Sequence, residues 1–334
     1  MGDINIDVTT DLNVPLTTFA LTFEQSGAIA DKAIPILPVS NRAAPFPKWN
    51  KKSLFHSGSA RVGVTGQVEE IKEELLSGQY SVDDYGRQIV TPLDQMQELA
   101  NLGINKEQRD AKKIMNYLAV ERESRAHSLL MTPANYPAGN QAAVATTWNL
   151  AASTPFEDIA GAIRGIIGQG LRKVVVMGRP VWDVLRFNTE VLAAYGRPGG
   201  QTMEGISTAA RQSMAMLLEV DEVLVSDLQK DSENLASATM TREYIFSNKH
   251  VAVIVCPKAE DLVGDTLSFA LTFRYKRATL SEIDFGGLPA TAMMRRWFDE
   301  KEGLAGSWRT VGGYSEDMKI VAEDAGYLLK NVIP

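Results

Sequence analysis

Residues 106–130 impose the strongest constraint on the fold. Within them Ile114, Met115, Leu118, Ala126, Leu129 and Leu130 fall on one narrow stripe at helical spacing. Lys106, Glu107, Arg109, Asp110, Lys112, Lys113, Glu121, Arg122, Glu123 and Arg125 occupy the remainder. Twenty-five helical residues make a rod of about 37 Å. A rod that long with so thin an apolar stripe cannot be the centre of a small core. It must lie across a surface, with charge left over for neighbours.

What precedes it has a different character. Residues 1–45 carry Pro15, Pro35, Pro38 and Pro45 and no sustained helical period. The alternation over Leu16–Phe23 predicts an extended piece. Leu16, Phe19, Leu21, Phe23, Ile34, Ile36 and Leu37 are too apolar for a solvated tail, so the stretch reads as an arm laid against a surface. Charge then alternates in blocks. Residues 1–40 sum to −4, while residues 41–61 hold Arg42, Lys48, Lys51, Lys52 and Arg61 with no acid. Residues 68–84 hold Glu69, Glu70, Glu73, Glu74, Asp83 and Asp84 against Lys72. A charge run is ordinarily a solvated face. Neighbouring blocks of opposite sign also suit pairing between copies of one chain, where complementary patches set the register.

Thr91 and Pro92 read as the cap and first turn of a short helix ending near Leu99. After the long helix, Ser153 or Thr154 can cap a helix that opens with Pro155, Glu157 and Asp158. Lys173–Met177 is a continuous apolar strand, followed by brief helices over 179–187, 189–195 and 207–218. Strands are expected at 222–226, 243–246 and 250–256. Helices alternating with short buried strands indicate a compact α/β unit over roughly 155–255. Residues 267–334 are rich in strand patterns.

Reactive chemistry has little foothold. Cys256 is the sole cysteine and ends an apolar strand, where an inert buried thiol is expected. His56, His127 and His250 are the only histidines, which argues against a histidine-rich metal centre. Glu123 and His127, four residues apart, read as a surface ion pair. The glycine-rich tract 196–205 lacks the Lys-Ser/Thr of a phosphate loop, and Gly168-Gln169-Gly170 precedes a strand instead of following one. No G-x-S-x-G elbow occurs. Of 334 residues, 41 are acidic and 34 basic, for a net charge of −7, so the basic excess of a nucleic-acid-binding module is missing. The N-terminal stretch has neither the basic nor the apolar region of a signal peptide, and a soluble cytosolic product is expected. An apolar arm, charge blocks, a spanning helix and no reaction centre describe a self-assembling structural protein.

The order of features resembles the major capsid proteins of tailed bacteriophages, whose shell fold takes its name from phage HK97. The resemblance rests on five stretches in sequence: NYLAVERESRAHSLLMTPANYPAGN (116–140), the Trp148–Ile163 run containing STPFEDIAGAI, VVVMGRPVWDVLRFNTEVL (174–192), LLEVDEVLVSD (217–227) and GGYSEDMKIVAEDAGYLLKNVI (312–333). Their order carries the weight, since none is a catalytic signature.

That resemblance implies an α+β, HK97-like capsid fold. Its parts would be an N-terminal arm (1–50), an extended hairpin loop (51–90), a peripheral domain (91–150 and 261–334, spine helix 106–130) and an axial α/β domain (151–260). It implies hexamers and pentamers of the chain closing an icosahedral shell around packaged double-stranded DNA, with no cofactor, metal or membrane. The implied partners are a separate scaffolding protein and a portal, with the presence of a decoration protein left open, and with assembly in the host cytoplasm and a final place in the virion. Candidate contacts between subunits are Arg42, Lys48, Trp49, Lys51, Lys52, Arg61, Glu69, Glu70, Glu73, Glu74, Asp83, Asp84, Arg122 and Arg125. The alternatives are an encapsulin-type nanocompartment shell, an α/β enzyme with an irregular N-terminus, and a tail-tube or other virion protein.

Overall fold

The computed structural model describes residues 12–48, 76–168, 170–194, 207–231, 241–246, 249–258, 261–262, 266–277 and 291–334. The N-terminal elements are α1 (Val14–Thr22), α2 (Ala30–Ala33), β1 (Ile36–Val39), β2 (Ala43–Lys48), β3 (Leu76–Ser81) and β4 (Asp83–Pro92). There follow α3 (Leu93–Asn101), α4 (Lys106–Met131), β5 (Gln141–Ala143), α5 (Pro155–Gly165), β6 (Lys173–Gly178), α6 (Arg179–Leu185), α7 (Thr189–Ala194) and α8 (Ser207–Leu217). The remainder is strand: β7 (Glu222–Ser226), β8 (Gln229–Asp231), β9 (Arg242–Tyr244), β10 (Val251–Val255), β11 (Ala270–Tyr275), β12 (Ala292–Asp299), β13 (Ser307–Ile320) and β14 (Gly326–Lys330).

Two five-stranded sheets organise these elements. The apolar sheet runs β5-β14-β10-β6-β7. Val251–Val255 and Val174–Met177 are buried at every position, as strands covered on both faces require. The cover comes from α5 (Ile159, Ala162), α6 (Val181, Trp182, Leu185) and α8 (Met214, Ala215). Gly178 lets β6 turn directly into α6, because a Cβ there would sit 1.9 Å from the Phe246 carbonyl oxygen. The border drawn at residues 150 and 261 divides this sheet, since β5 and the C-terminal β14 belong to it.

The second sheet is built around β13. Ser307–Tyr314 pair with β12 on one edge and with β4 on the other, while Glu316 pairs with Arg274 of β11 and Asp83 of β4. β11 and β12 therefore share one edge of β13 as a single interrupted strand. β11 ends its pairing with Arg274 opposite Glu316, and β12 begins with Ala292 opposite Tyr314, two positions away on β13. β1 extends the sheet by pairing parallel with β11. A separate ribbon pairs β2 with β3, from Ala43↔Ser81 to Lys48↔Leu76.

Two expectations for the N-terminal half are corrected. Leu16–Thr22 are helical within α1, with Phe23 its extended C-cap; the Asn13 side chain accepts from Leu16 N–H and Pro15 sits in the first turn. Leu16 and Ala20, one turn apart, enter a cluster with Ile114, Leu118, Met294 and Tyr314. The cap and the proline outweigh the alternation that suggested a strand. Thr91 lies in β4 instead of capping α3, and its buried hydroxyl donates to Asp110 Oδ2 at 2.8 Å.

The arm over residues 12–48 lies on its own chain. Ile29, Ala30, Ala33 and Ile34 join the main core, and Leu12 bridges to Arg295. α4 runs Lys106–Met131, close to its expected limits. Its first half packs Ala111, Ile114, Met115 and Leu118 with α1, β12 and Tyr314 of β13. Ala126, Leu130 and Met131 at its other end enter the core of the apolar sheet. One helix thus ties both sheets together.

Candidate functional site

α4 crosses β13 at a buried ionic cluster. Arg122 and Arg125 stand one turn apart on the helix, and Glu316 stands on β13 with Tyr314 two residues before it on the same face. Glu316 is fully buried, and its two oxygens divide three guanidiniums. Oε1 accepts from Arg125 Nη2 at 2.8 Å and lies 3.2 Å from Arg122 Nε. Oε2 accepts from Arg274 Nε at 2.9 Å and Nη2 at 2.6 Å, a two-pronged pairing.

The surroundings hold the guanidiniums in place. Arg122 Nη2 donates to Thr272 Oγ1 at 3.2 Å, and Nη1 pairs with Asp31 from the arm. Arg125 lies 3.7 Å over the Tyr85 ring and Arg274 4.5 Å over Tyr314, whose hydroxyl donates to the Leu118 carbonyl. Burial alone would raise the Glu316 carboxyl, but the charges of Arg122, Arg274 and Arg125 outweigh it and hold the group at about 2. Burial lowers Arg122 to about 10, with Glu316 opposing.

A neighbouring residue on α4 braces the other side. Glu123 is fully buried and accepts from the backbone N–H groups of Ile29 and Ala30 and from Ser226 Oγ at 2.6 Å. It joins the arm, the long helix and β7. The expected Glu123–His127 surface pair is therefore corrected: Glu123 points inward to those donors, and His127 packs edge-on to Phe246 at 4.9 Å. Burial pushes the Glu123 carboxyl up despite these hydrogen bonds. A cavity of about 260 Å³ lies between the arm and α4, with Phe23, Asp31, Arg122, Arg274 and Tyr314 in its wall.

The remaining candidate contacts divide into two groups. Arg42 Nη2 meets Asp84 Oδ2 at 3.0 Å, and Asp84 also accepts from Ser315 and faces Arg277 at 3.7 Å. The Ser315 hydrogen bond and then Arg42 hold the Asp84 carboxyl below its ordinary value. Lys48 reaches Glu323 at 3.5 Å, and Asp83 is exposed. These groups sit where the β2–β3 ribbon meets the β13 sheet, and all stay accessible to a neighbour. Trp49, Lys51, Lys52, Arg61, Glu69, Glu70, Glu73 and Glu74 lie outside the described residues.

Arg122 and Arg125 do not belong with the surface candidates. Their side chains are 4% and 24% exposed, and both are committed to Glu316 inside the chain. Sequence reasoning missed Glu316, Glu123 and Arg274. Only the alternation along β13, which puts Glu316 on the face of buried Tyr314, gave a signal for any of them.

No metal-ligand cluster occurs among the described residues. Cys256 is buried, its thiol pushed up to about 11 by burial, and Sγ donates to the Lys32 carbonyl. Among the described residues no helix is long and apolar enough to cross a membrane. What the geometry provides is mechanical: a rod pinned to two sheets and an arm, with charged groups accessible at the ribbon base.

No family model matches the chain. It is similar to the major capsid protein of Pseudomonas phage JBD67, with 24% identity over 322 residues covering 95% of this chain and 96% of that one. Among solved structures it is similar to a phage-related protein from Bordetella bronchiseptica RB50, with TM-score 0.70, 16% identity and 97% and 99% of the two chains covered. The capsid of cyanophage P-SCSP1u follows at TM-score 0.56, 12% identity and 92% and 89% coverage. A Synechococcus elongatus encapsulin, solved as the holo-SrpI complex, gives 0.51, 9% identity and 94% and 92% coverage. The fold is the mixed α and β shell fold of the HK97 type.

Proposed function

We propose that this chain is the major capsid protein of a tailed bacteriophage, a structural shell subunit and not an enzyme. The observation that carries this reading is the match to a phage major capsid protein from end to end of both chains, on a fold shared with a phage capsid. The internal design supports it. A shell subunit must transmit load between distant contacts, and α4 is braced to both sheets and the arm by buried ionic groups.

On this reading, copies assemble into hexamers and pentamers that close an icosahedral shell around double-stranded DNA, which is enclosed without sequence-specific contacts. The acidic composition is compatible, because DNA driven in by a packaging motor needs no cationic lining. A separate scaffolding protein and a portal complete the assembly, which forms in the host cytoplasm and persists in the virion. The arm, hairpin loop, peripheral and axial parts named above are the working division of the subunit. Arg42, Lys48, Lys51, Lys52 and Arg61 are the basic side of the contacts between subunits, and Glu69, Glu70, Glu73, Glu74, Asp83 and Asp84 the acidic side. Replacing Lys51 and Lys52 with Glu is expected to block assembly while leaving the subunit folded.

The second reading is an encapsulin-type compartment, favoured only by the fold likeness at TM-score 0.51. Negative-stain microscopy with light scattering on the purified protein tests both. Shells, or rings of five and six, are expected. Contents that nuclease removes after shell opening mark the phage subunit, and packaged protein marks the compartment. A monomer at every salt and scaffold concentration would overturn both.

A further inference from the structure

Helix α3 is a nine-residue amphipathic segment in which no residue is buried. Leu93, Met96 and Leu99 are half covered on one side, while Asp94 and Glu98 are exposed on the other, one turn apart. Leu102 and Ile104 follow in the turn to α4, 72% and 37% exposed. Helices this short are marginal without packing. The charge pattern adds a further penalty: two acids at i,i+4 repel, and Glu98 lies in the last turn, which has no basic residue and carries the negative end of the helix dipole. Asp94 stands in the first turn, where the dipole favours it, so the unmet charge is that of Glu98.

The first turns of α4 carry the complement. Glu107 is turned inward to Arg296 at 2.7 Å and to Asn13, and Asp110 is buried against Thr91 and Lys106. With its acids used internally, the outer face presents Arg109, Lys112 and Lys113, all exposed, with half-exposed Tyr117 one turn beyond Lys113. None of Asp94, Glu98, Arg109, Lys112 and Lys113 makes an ion pair among the described residues. No ion pair joins the two faces among the described residues.

We propose that the acidic face of α3 in one copy seats on the basic face of α4 in the next, with Leu102 and Ile104 as the apolar part of the contact. The inference rests on the shell-subunit reading and names one of its contacts. Two different, complementary patches on one molecule define a head-to-tail interface, which generates closed rings when the rotation closes. The charges fix orientation and speed encounter, and the apolar turn supplies the desolvated centre.

The test is a charge swap in the full chain, read as shell yield by light scattering and microscopy. Asp94→Lys with Glu98→Lys, and separately Arg109→Glu with Lys112→Glu and Lys113→Glu, are each expected to lower yield at least tenfold. Combining all five changes in one chain is expected to restore it. Circular dichroism of each unassembled variant should match the unchanged chain, because all five side chains are exposed. The neutral pair Asp94→Asn and Glu98→Gln is expected to lower yield several-fold at low salt and to remove most of its salt dependence. Shell yield unaffected by either reversal would overturn the contact. So would losses in both that the five-fold variant fails to rescue, because the two faces would then meet different partners. A monomer from the unchanged chain would instead overturn the shell reading on which the contact rests.

Discussion

The two sheets are stabilised in opposite ways. In the apolar sheet, β6 and β10 are buried at nearly every position and carry no charged side chain beyond Lys173 at the strand entrance. In the other, β13 buries Ser307, Thr310, Ser315 and Glu316 among its apolar neighbours, and the apolar contact of α4 with Tyr314 is joined by an ionic tie in which two guanidiniums of α4 and Arg274 of β11 share the Glu316 carboxylate. Apolar area is graded and non-directional, so its loss scales with the atoms removed. An ionic cluster is directional and nearly all-or-none, because removing one member leaves the others buried without a partner. A long helix held at a fixed angle over a sheet gains more from the second kind of tie. The first keeps the subunit folded.

The largest effect is expected at the cluster. Glu316→Ala takes away the carboxylate that Arg122, Arg125 and Arg274 share; Arg122 keeps Asp31 and Thr272, but Arg274 is left without an ion pair among the described residues, a loss of about 3–5 kcal/mol, readable as a lower urea midpoint for the unassembled subunit. The pH dependence follows from the same group. Its folded value of about 2 lies below its ordinary 4.5, so the stabilisation is present above pH 4.5 and is lost as pH falls towards 2. Glu316→Gln should flatten that acid limb. An acid limb identical in the two proteins would mean that the cluster does not stabilise the fold.

Glu123→Gln comes next, at about 1–3 kcal/mol, because an amide offers two donors where three protein donors already converge. Its pH signature has the opposite sign. Burial raises the Glu123 carboxyl in the folded chain, so its contribution is fully present below the ordinary value and declines as pH rises through the raised one. The specific reading is hydrogen exchange at the amides of Ile29 and Ala30, which should accelerate in the variant. Unchanged protection there would separate Glu123 from the arm and leave it a helix-to-β7 link only.

How far the sequence reveals each region follows the same division. β6 and β10 were readable from continuous valine-rich runs, and α4 from its stripe, because those signals are local. The HK97-type fold was accessible through the order of five stretches. α1 was misread because alternation of Leu, Thr and Phe suits a strand, and only the Asn13 cap with Pro15 argued for a helix. The brace was hidden for a different reason. Arg122 and Glu316 lie 194 positions apart, and Glu123 finds its donors in Ile29, Ala30 and Ser226. A charged residue on a helix defaults to solvent unless the partner brought by the tertiary fold is known. Two of the candidate contacts, Arg122 and Arg125, were placed on the surface by that default.

A milder test lies within the apolar sheet. Ile254→Val removes one methylene from the middle of β10, where Ile254 pairs with Val174 and Gly326, and should cost about 0.5–1.5 kcal/mol. The acid limb should keep its shape and only shift downward, since no titrating group is touched. A change in that shape would couple the two sheets more tightly than α4 alone accounts for.

The smallest effect is expected at the ribbon base. Arg42 and Asp84 pair at 3.0 Å, but their side chains are 48% and 60% exposed, so water and salt screen the attraction and holding both side chains offsets what remains. Arg42→Ala should leave the urea midpoint of the unassembled subunit unchanged within error. Asp84 keeps its Ser315 hydrogen bond and Arg277, so no buried charge is stranded. If these exposed groups serve contacts between copies, the variant should instead lower shell yield, and more so at low ionic strength, where surface charges act over a longer range. A stability loss comparable to that of Glu316→Ala would place this pair with the internal brace and remove it from the contact surface.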